Sequence, residues 1–397
     1  MKQLIQRMSD ALYESVRTHY RYLHAHPELS FNEVKTAKYV CDVLDRLDVP
    51  YRKEIGGNGV VARLACSNPT RKTIALRADM DALPIQEETG LPYASVHPRV
   101  MHACGHDAHT SVLLGVVEMF VGLSTHLEGT YLFIFQPGEE KHPGGARLMI
   151  NDHLFDELTP DCVIAQHVYV DIPCGHVAVG SGTVMASADE IHLTVRGKGG
   201  HGALPHLLND TVLAASQIVV SIQQVVSRLS NPFNPMVVTF GKIIADGATN
   251  IIPDQVLLSG TMRCMDSQER VELRERIKAI ILHTAQAYGC EVDISMPEGY
   301  PPTVNNHTLA AEAKMILSDL LGAEAVHPLV PRMTAEDFGF FTQRYPSLFY
   351  RFGIIGESNK ETTGLHTSHF RIDEEGLRTG LAGMAYLAAT IECEGRV

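Results

Sequence analysis

Apolar residues recur at helical spacing over the first twenty positions of the chain. Leu4, Met8, Leu12, Val16 and Tyr20 lie four residues apart, so we expect an amphipathic helix there. Farther along, apolar runs of strand length alternate with longer helical segments, which predicts an α/β domain with helices on the faces of a sheet. The predicted strands are 59–65, 73–78, 131–135, 162–165 and 348–352, and the predicted helices are 109–123, 309–321 and 374–391.

The pattern changes between residues 188 and 297. The predicted elements there are a strand at 191–195, a helix at 210–229, strands at 237–242 and 256–263, a helix at 270–288 and a strand at 291–295. This β-α-β-β-α-β order is typical of a ferredoxin-like module. Because α/β material resumes after it, we expect an insert at 188–297 in a discontinuous first domain formed by 1–187 and 298–397.

Composition and charge exclude several kinds of partner. The 397 residues carry a formal charge of −13, and no run of basic residues could follow a phosphate backbone, so nucleic acid is not expected. The apolar stretch 112–123 contains Glu118 and is too short to span a bilayer, and the first residues lack the features of a signal peptide. We therefore expect a cytoplasmic protein with no membrane partner.

Cysteine and histidine are the residue types most suggestive of chemistry. The eight cysteines are scattered through a large chain, so most are expected to be buried thiols. Histidine, present twenty times, is the commonest metal ligand in proteins.

Cys104 and His106 lie two residues apart in a glycine-containing segment before an apolar helix. Both side chains could point at one cation, and the helix N-terminus would lower the pKa of the thiol. The alternative is a buried thiol beside surface histidines, which suits an isolated pair of this kind better.

Two adjacent carboxylates, Glu139 and Glu140, follow the predicted strand 131–135, where ligands of α/β sheets are expected. One could hold a cation while the other exchanges protons with water. His167 and His366 also follow predicted strands. Each alone is typical of a solvated loop, but a thiolate, three imidazoles and a carboxylate together suit one or two divalent cations.

Longer motifs run through almost the whole chain. In this respect the sequence resembles the aminoacylase/carboxypeptidase family of di-metal peptidases, peptidase family M20, in its branch of N-acyl-amino-acid amidohydrolases. The motifs are HAHPELSF from His24, RADMDALPI from Arg77, MHACGHDAHT from Met101, FQPGEE from Phe135, GKGGHGALPH from Gly197, NIIPD from Asn250 and MTAEDF from Met333.

The resemblance implies a role for several residues. The metal ligands would be Cys104, His106, Glu140, His167 and His366. Glu139 would be the general base, and Asp81 stands where other branches of the family have an orienting aspartate. His201 would enter the active site of the partner subunit, and Asn250 and Arg263 would hold the free carboxylate of the substrate.

The resemblance also implies an architecture and an activity. The fold would be a mixed-sheet metallohydrolase domain with an inserted ferredoxin-like α+β dimerisation or lid domain. The activity would be cleavage of the amide bond of N-acylated amino acids. Each subunit would hold two divalent ions, which could be Zn, Mn, Co or Ni, and the enzyme would be a homodimer. A dipeptidase or carboxypeptidase on the same scaffold is the alternative enzyme, and a catalytically silent binding protein is the alternative outside enzymes.

Overall fold

The computed structural model describes residues 1–356, 359–360 and 364–393, which form two compact units. The first unit comprises Met1–Val184, Val304–Val330 and Phe340–Val397, and the second comprises Met185–Thr303 and Pro331–Gly339. The expected insert, 188–297, lies within the second unit. The separate segment Pro331–Gly339 was not expected there, and it joins that unit because the Ala186 N–H donates to the carbonyls of Arg332 and Thr334 at 3.1 and 3.0 Å.

Strands and helices are numbered here in chain order. The strands are β1 Tyr51–Ile55, β2 Gly59–Ala65, β3 Thr73–Asp79, β4 Thr130–Gln136, β5 Cys162–Pro173, β6 Val177–Val179, β7 Gly182–Met185, β8 Asp189–Arg196, β9 Gly200–His201, β10 Met236–Ile244, β11 Ile251–Ile252, β12 Gln255–Cys264, β13 Glu291–Ser295, β14 Thr303–Asn305, β15 Val326–Pro328 and β16 Ser347–Ile355. The α-helices are α1 Lys2–Ala25, α2 Val34–Arg46, α3 His106–Gly122, α4 Gly145–Asn151, α5 Thr211–Gln224, α6 Ser267–Ala287, α7 His307–Leu321, α8 Gly339–Thr342 and α9 Gly376–Thr390.

An eight-stranded mixed sheet forms the centre of the first unit, in the order β1-β2-β4-β3-β5-β16-β6-β15. Its middle strands β4, β3, β5 and β16 run parallel to one another. Every residue of β3 and β4 is buried, as expected for parallel strands covered on both faces. Because such strands read as unbroken apolar runs, their positions were predictable, and the predicted mixed α/β fold is confirmed.

Two elements differ from their predicted bounds in a way that concerns the site. Helix α3 begins at His106 instead of residue 109, because Gly105 adopts φ 85° and turns the chain directly into the helix. Strand β5 continues to Pro173 instead of ending at residue 165, because β16 pairs with it from Val163 to Pro173. His106 therefore lies on the first helical turn, and His167 lies inside a strand.

The second unit contains an antiparallel sheet in the order β10-β12-β8-β13. Helices α5 and α6 pack against each other and against this sheet. The chain order and sheet order are those of a ferredoxin-like module, so that prediction is confirmed.

One helical segment of the described chain, Thr211–Leu229, is long and apolar enough to cross a membrane, with mean hydropathy 1.3. The sequence prediction overlooked it and considered only 112–123. Ile218, Ile222 and Val225 are fully buried in the core of the second unit. A core helix passes the same test of length and composition, so the segment by itself says little about a membrane.

The cysteines follow the prediction that most are buried thiols. Cys41, Cys66, Cys104, Cys264 and Cys290 are buried and unpaired, and Cys174 is half-buried. The sequence had not indicated the disulfide between Cys162 and Cys393, whose Cα atoms lie 6.3 Å apart.

Candidate metal centre in the first unit

The ends of neighbouring parallel strands place polar residues along one edge of the large sheet. Strand β3 ends at Asp79, with Asp81 two residues farther on, and β4 ends at Gln136, immediately before the turn that carries Glu139 and Glu140. Because β3 and β4 are parallel, both ends meet at the same edge. The predicted catalytic carboxylates therefore lie where an α/β sheet binds ligands.

Cys104, His106 and His167 form a buried group whose ligand atoms all lie within 4.8 Å of one another. Cys104 Sγ is 3.6 Å from His167 Nε2. The approach depends on Gly105, since a Cβ atom there would lie 2.7 Å from Cγ2 of Val168 on β5. A glycine therefore lets the thiol and the first turn of α3 come close to strand β5.

A second group consists of Cys104, Glu140 and His366. His366 Nε2 lies 3.3 Å from Cys104 Sγ and 3.1 Å from Glu140 Oε1. The backbone N–H of His366 donates to the Ala103 carbonyl at 2.8 Å, which holds the His366 loop in place. The two groups share the Cys104 thiol, so all five predicted ligands meet around one sulfur atom.

The atoms of these groups are arranged for an ion at the centre of the site. His106 Nε2 and Glu140 Oε1 are fully buried and lie 3.8 Å apart. Among the described residues neither atom makes a hydrogen bond of good geometry, although His366 Nε2 lies 3.1 Å from Glu140 Oε1. Buried polar atoms without partners are rare in native proteins. A divalent cation fits both the orphaned atoms and the soft-to-borderline character of a thiol, imidazole and carboxylate set.

Electrostatics around the two groups also favours positive charge. Although burial opposes it, the carboxylates of Asp79, Asp81 and Glu140 raise the pKa of His106 to about 10. Burial and nearby carboxylates, Glu140 first among them, raise the pKa of the Cys104 thiol well above its usual value. The expectation that the helix N-terminus lowers this thiol pKa is therefore wrong for the protein groups alone, and a cation is what would stabilise a thiolate here.

The ring of His167 has a fixed orientation. Its Nδ1 lies 2.8 Å from the Val168 carbonyl and so carries the proton, which leaves a lone pair on Nε2 toward Cys104. Burial, together with His109 and Arg351, holds the pKa of His167 well below its usual range. A neutral imidazole in this tautomer is the form that ligates metals.

Asp81 connects the ligand helix to the turn that carries the two glutamates. Its carboxylate accepts the backbone N–H groups of Glu139 and Glu140, both at 3.0 Å, and lies 3.2 Å from His106 Nδ1. Ser30 Oγ donates to the same carboxylate at 2.7 Å. Through these bonds Asp81 links His106, Ser30 and the turn of the two glutamates, and its orienting role stays a prediction.

Several buried polar residues around the site were missed from the sequence. His109 Nδ1 lies 2.6 Å from Asp79 Oδ1, and its Nε2 accepts the Val168 N–H at 3.0 Å, next to His167. The spacing of His106 and His109 by three residues, which places both on one helix face, was a usable signal. Glu33 is also fully buried, beside the turn of Glu139, and nothing in its local pattern indicated this.

The remaining predicted residues belong to the second unit. His201 is exposed on β9, and its Nδ1 accepts the Ala203 N–H at 3.1 Å, so a neutral ring carries its proton on Nε2. The Asn250 carbonyl accepts the Gly202 N–H at 2.8 Å, which keeps Asn250 beside His201. Burial lowers the pKa of Arg263, and no residue within the described ranges pairs with its guanidinium.

Comparisons with known proteins identify the family of the chain. Residues 75–390 match Peptidase family M20/M25/M40. The Bacillus subtilis (strain 168) protein YhaA, named as an amidohydrolase, is 39% identical over 389 residues, which cover 97% of each chain. IAA-amino acid hydrolase ILR1-like 5 from Arabidopsis thaliana is 36% identical over 372 residues, covering 93% of this chain and 84% of the relative.

A solved structure is similar over nearly its full length. The crystal structure of Bacillus subtilis YXEP, described as a dinuclear metal binding peptidase from the M20 family, has a TM-score of 0.82 and 30% sequence identity. The similarity covers 96% of this chain and 98% of YXEP. The family match over residues 75–390, the relatives that align over nearly the full chain and the shared fold all show that this chain belongs to Peptidase family M20/M25/M40.

Proposed function

We propose that the protein is a metal-dependent hydrolase that cleaves the amide bond of an N-acylated amino acid, releasing a carboxylic acid and a free amino acid. The observation that carries this proposal is the pair of three-residue ligand groups that share Cys104, with the buried Glu139 beside them. The names of YhaA, an amidohydrolase, and of the Arabidopsis relative, an IAA-amino acid hydrolase, support an amino-acid conjugate as the substrate.

Two divalent cations per subunit would fit the proposal. Cys104, His106 and His167 would hold one of them, and Cys104, Glu140 and His366 would hold the other. Zn, Mn, Co and Ni all suit this set of ligands. When bound, such ions lower the pKa of water and polarise the carbonyl that is attacked.

Glu139 would act as the general base. One of its carboxylate oxygens lies within 4.8 Å of a ring nitrogen of His106 and of a carboxylate oxygen of Glu140. Its backbone N–H is fixed by the hydrogen bond to Asp81. From this position its carboxylate can take a proton from the attacking water and return it to the leaving amine. Glu140, its neighbour in sequence, would hold a cation instead.

Residues of the second unit would bind the substrate and stabilise the transition state. The guanidinium of Arg263 can form a bidentate pair with the carboxylate of the amino acid, and the Asn250 amide would donate to the same group. The Nε2–H of His201, left free to donate by the bond to Nδ1, would stabilise the oxyanion in the active site of a partner subunit.

The proposal includes a cytoplasmic homodimer formed through residues 188–297. Strand β10 is at the edge of its sheet, and its final residues Ile243 and Ile244 are 54% and 42% exposed. On helix α5, Val220 is 64% exposed and Leu213 is 51% exposed. Apolar groups on an edge strand and a neighbouring helix suit isologous pairing with a second copy.

Two measurements on freshly purified protein test the proposed function. Metal analysis should find two divalent ions per chain. A panel of N-acetyl amino acids, N-benzoyl amino acids and dipeptides, assayed for released amino acid, should show turnover of the acylated amino acids. A Glu139→Gln variant at the same metal content serves as the matched control for contaminating activity. Preferential cleavage of dipeptides would instead assign the protein as a dipeptidase or carboxypeptidase.

A further inference from the structure

Three consecutive backbone N–H groups in the turn after β4 donate to two buried carboxylates. Gly138 donates to Glu33 Oε1 at 2.8 Å, and Glu139 and Glu140 donate to Asp81. Asp81 already has a clear orienting position between these residues and His106. Glu33, by contrast, accepts the N–H of Gly138, while those of Glu139 and Glu140 donate to Asp81.

The Glu33 carboxylate is an acceptor for several N–H groups. Its side chain is fully buried, Oε1 also accepts the Phe31 N–H at 2.8 Å, and Oε2 accepts from Asn58 Nδ2 at 3.2 Å. In the described parts of the chain no lysine or arginine forms an ion pair with it. Burial, with a smaller contribution from Asp81, raises the pKa of Glu33 to about 7. The contacts of Glu33 are therefore hydrogen bonds that require its carboxylate oxygens to extend as far as these N–H groups, and among the described residues they do not include an ion pair.

Gly138 is held tightly from every side. Its carbonyl accepts the Gly145 N–H at 3.0 Å, and its φ of 59° is in the left-handed region. A Cβ atom at Gly138 would lie 2.2 Å from Cε1 of Phe31, so the ring closes directly over the turn. The Phe31 ring and the Glu33 carboxylate therefore both contact Gly138, the residue immediately before Glu139.

We propose that Glu33 is a positioning residue for Glu139: by holding the N–H of Gly138, it fixes the turn from which the Glu139 side chain reaches the reacting atoms. This inference rests on the proposed function, in which Glu139 is the base. Displacing a catalytic group by about 1 Å can cost on the order of 10²-fold in rate. A loosened turn should therefore lower kcat without changing the binding of the substrate.

Two substitutions separate the length of the Glu33 side chain from its negative charge. Glu33→Gln keeps an acceptor oxygen for the Gly138 N–H at the same distance, but it carries no charge and gives up the bond from Asn58 Nδ2. Glu33→Asp keeps the charge but withdraws both oxygens by one methylene. We expect Glu33→Asp to lower kcat by at least about tenfold, with KM and bound metal within about twofold of wild type. Glu33→Gln should stay within about threefold of the wild-type kcat.

Glu28 provides the matched control in the same segment. Its Oε2 accepts the backbone N–H groups of Lys35 and Thr36 at 2.8 and 2.9 Å, and neither residue belongs to the turn after β4. Glu28→Asp should cost a similar amount of thermal stability and leave kcat unchanged. If Glu33→Asp does not accumulate as folded protein, exchange of the Gly138 amide in the wild-type protein takes its place. Protection as strong as that of the Glu139 and Glu140 amides is expected, and exchange at the rate of an exposed amide would overturn the proposal.

Hydrogen exchange of amides 138–140 gives a readout that needs no substrate. We expect exchange to be at least about tenfold faster in Glu33→Asp, and unchanged in Glu33→Gln and Glu28→Asp. The proposal is overturned if exchange and kcat of Glu33→Asp match wild type, or if Glu33→Gln is impaired as strongly as Glu33→Asp. If the wild-type protein turns over no N-acyl amino acid, the proposed function fails, while the exchange result still decides whether Glu33 holds the turn.

Discussion

Asp81 and Glu139 are joined by a hydrogen bond in which the backbone N–H of Glu139 donates to Asp81 Oδ1 at 3.0 Å. The same oxygen lies 3.2 Å from His106 Nδ1. A single carboxylate oxygen therefore fixes the distance between a metal-ligand candidate and the proposed base. Because the bond uses the backbone of Glu139, the side chain can be changed without releasing the turn.

The first prediction uses this independence. Glu139→Gln should retain bound metal while kcat falls by at least about 10²-fold, because an amide cannot accept the proton of the attacking water. Metal analysis and steady-state kinetics on the same preparation measure both quantities. Glu140→Gln is the control and should lose metal as well as activity. Near-normal turnover by Glu139→Gln would rule out this residue as the base.

The second prediction concerns the Cys104 thiol shared by the two ligand groups. Metal-loaded protein should protect Cys104 from alkylation at alkaline pH, and chelation should expose it, because a coordinated thiolate cannot attack the reagent. Mass spectrometry after alkylation measures the modified fraction. Cys174, which is half-buried and outside both groups, should react equally with and without chelator. Equal and extensive labelling of Cys104 in both conditions would show that it is not a ligand.

The third prediction concerns assembly. Val220 and Val271 are 64% and 62% exposed on helices α5 and α6 of the same unit, but only α5 is in the proposed dimer surface. Val220→Glu should produce monomers because it buries an unpaired charge, whereas Val271→Glu should leave the dimer intact. Sedimentation at micromolar concentration measures both. A wild-type monomer with full activity would contradict the dimer.

The fourth prediction tests whether His201 acts in the neighbouring subunit. His201→Ala should lower kcat on the order of 10²-fold with little loss of metal, as expected for one oxyanion donor. Mixing it with Glu139→Gln subunits should create heterodimers in which one active site has both intact residues. Activity should then return to at most half of the wild-type value per heterodimer. No recovery despite confirmed subunit exchange would place both residues in the same subunit's site.

The fifth prediction concerns stability against pH. His24 is buried, with Nδ1 2.6 Å from Asp107 and Nε2 3.2 Å from Glu87. Although burial opposes it, these carboxylates raise the pKa of His24 to about 9, above its unfolded value of 6.5. The resulting stabilisation, about 3 kcal/mol by linkage, is complete below the unfolded pKa and is lost as pH rises through about 9.

Urea unfolding of wild type and His24→Gln from pH 6 to pH 10 measures this effect. The difference in unfolding free energy should be largest near pH 6 and should shrink toward pH 10. His26→Gln is the control, because among the described residues no carboxylate is bonded to His26. A difference between wild type and His24→Gln that does not change with pH would show that His24 is not charged in the folded protein.

Hydrophobic pattern was enough to predict most of the fold. Strands such as β4 are apolar over their full length, and the helices and strands of the second unit keep the order that the sequence indicated. The family resemblance, carried by motifs spread over the chain, is confirmed by the match over residues 75–390. The ligand assignments stay predictions, although the structure brings all five of those side chains together.

The misses share a physical cause. Polar residues were taken to lie in loops, so a helix beginning at His106 and a strand continuing through His167 were both cut short. Glu33 Oε1 accepts the N–H of Gly138, more than a hundred positions away, and a local sequence pattern contains no sign of such a partner. Long-range hydrogen bonds of this kind become visible only in three dimensions.

The order of the ligands along the chain has a consequence for how the centre is built during synthesis. Cys104, His106 and His167 all precede the second unit, so the first ligand group is complete before residue 184 is made. The second group needs His366, which is made only after every segment of the second unit. If the two groups bind cations as proposed, a growing chain would carry the ligands for one cation early. The ligands for the second cation would come together only after the segment with His366 has been made and has folded back onto the sheet.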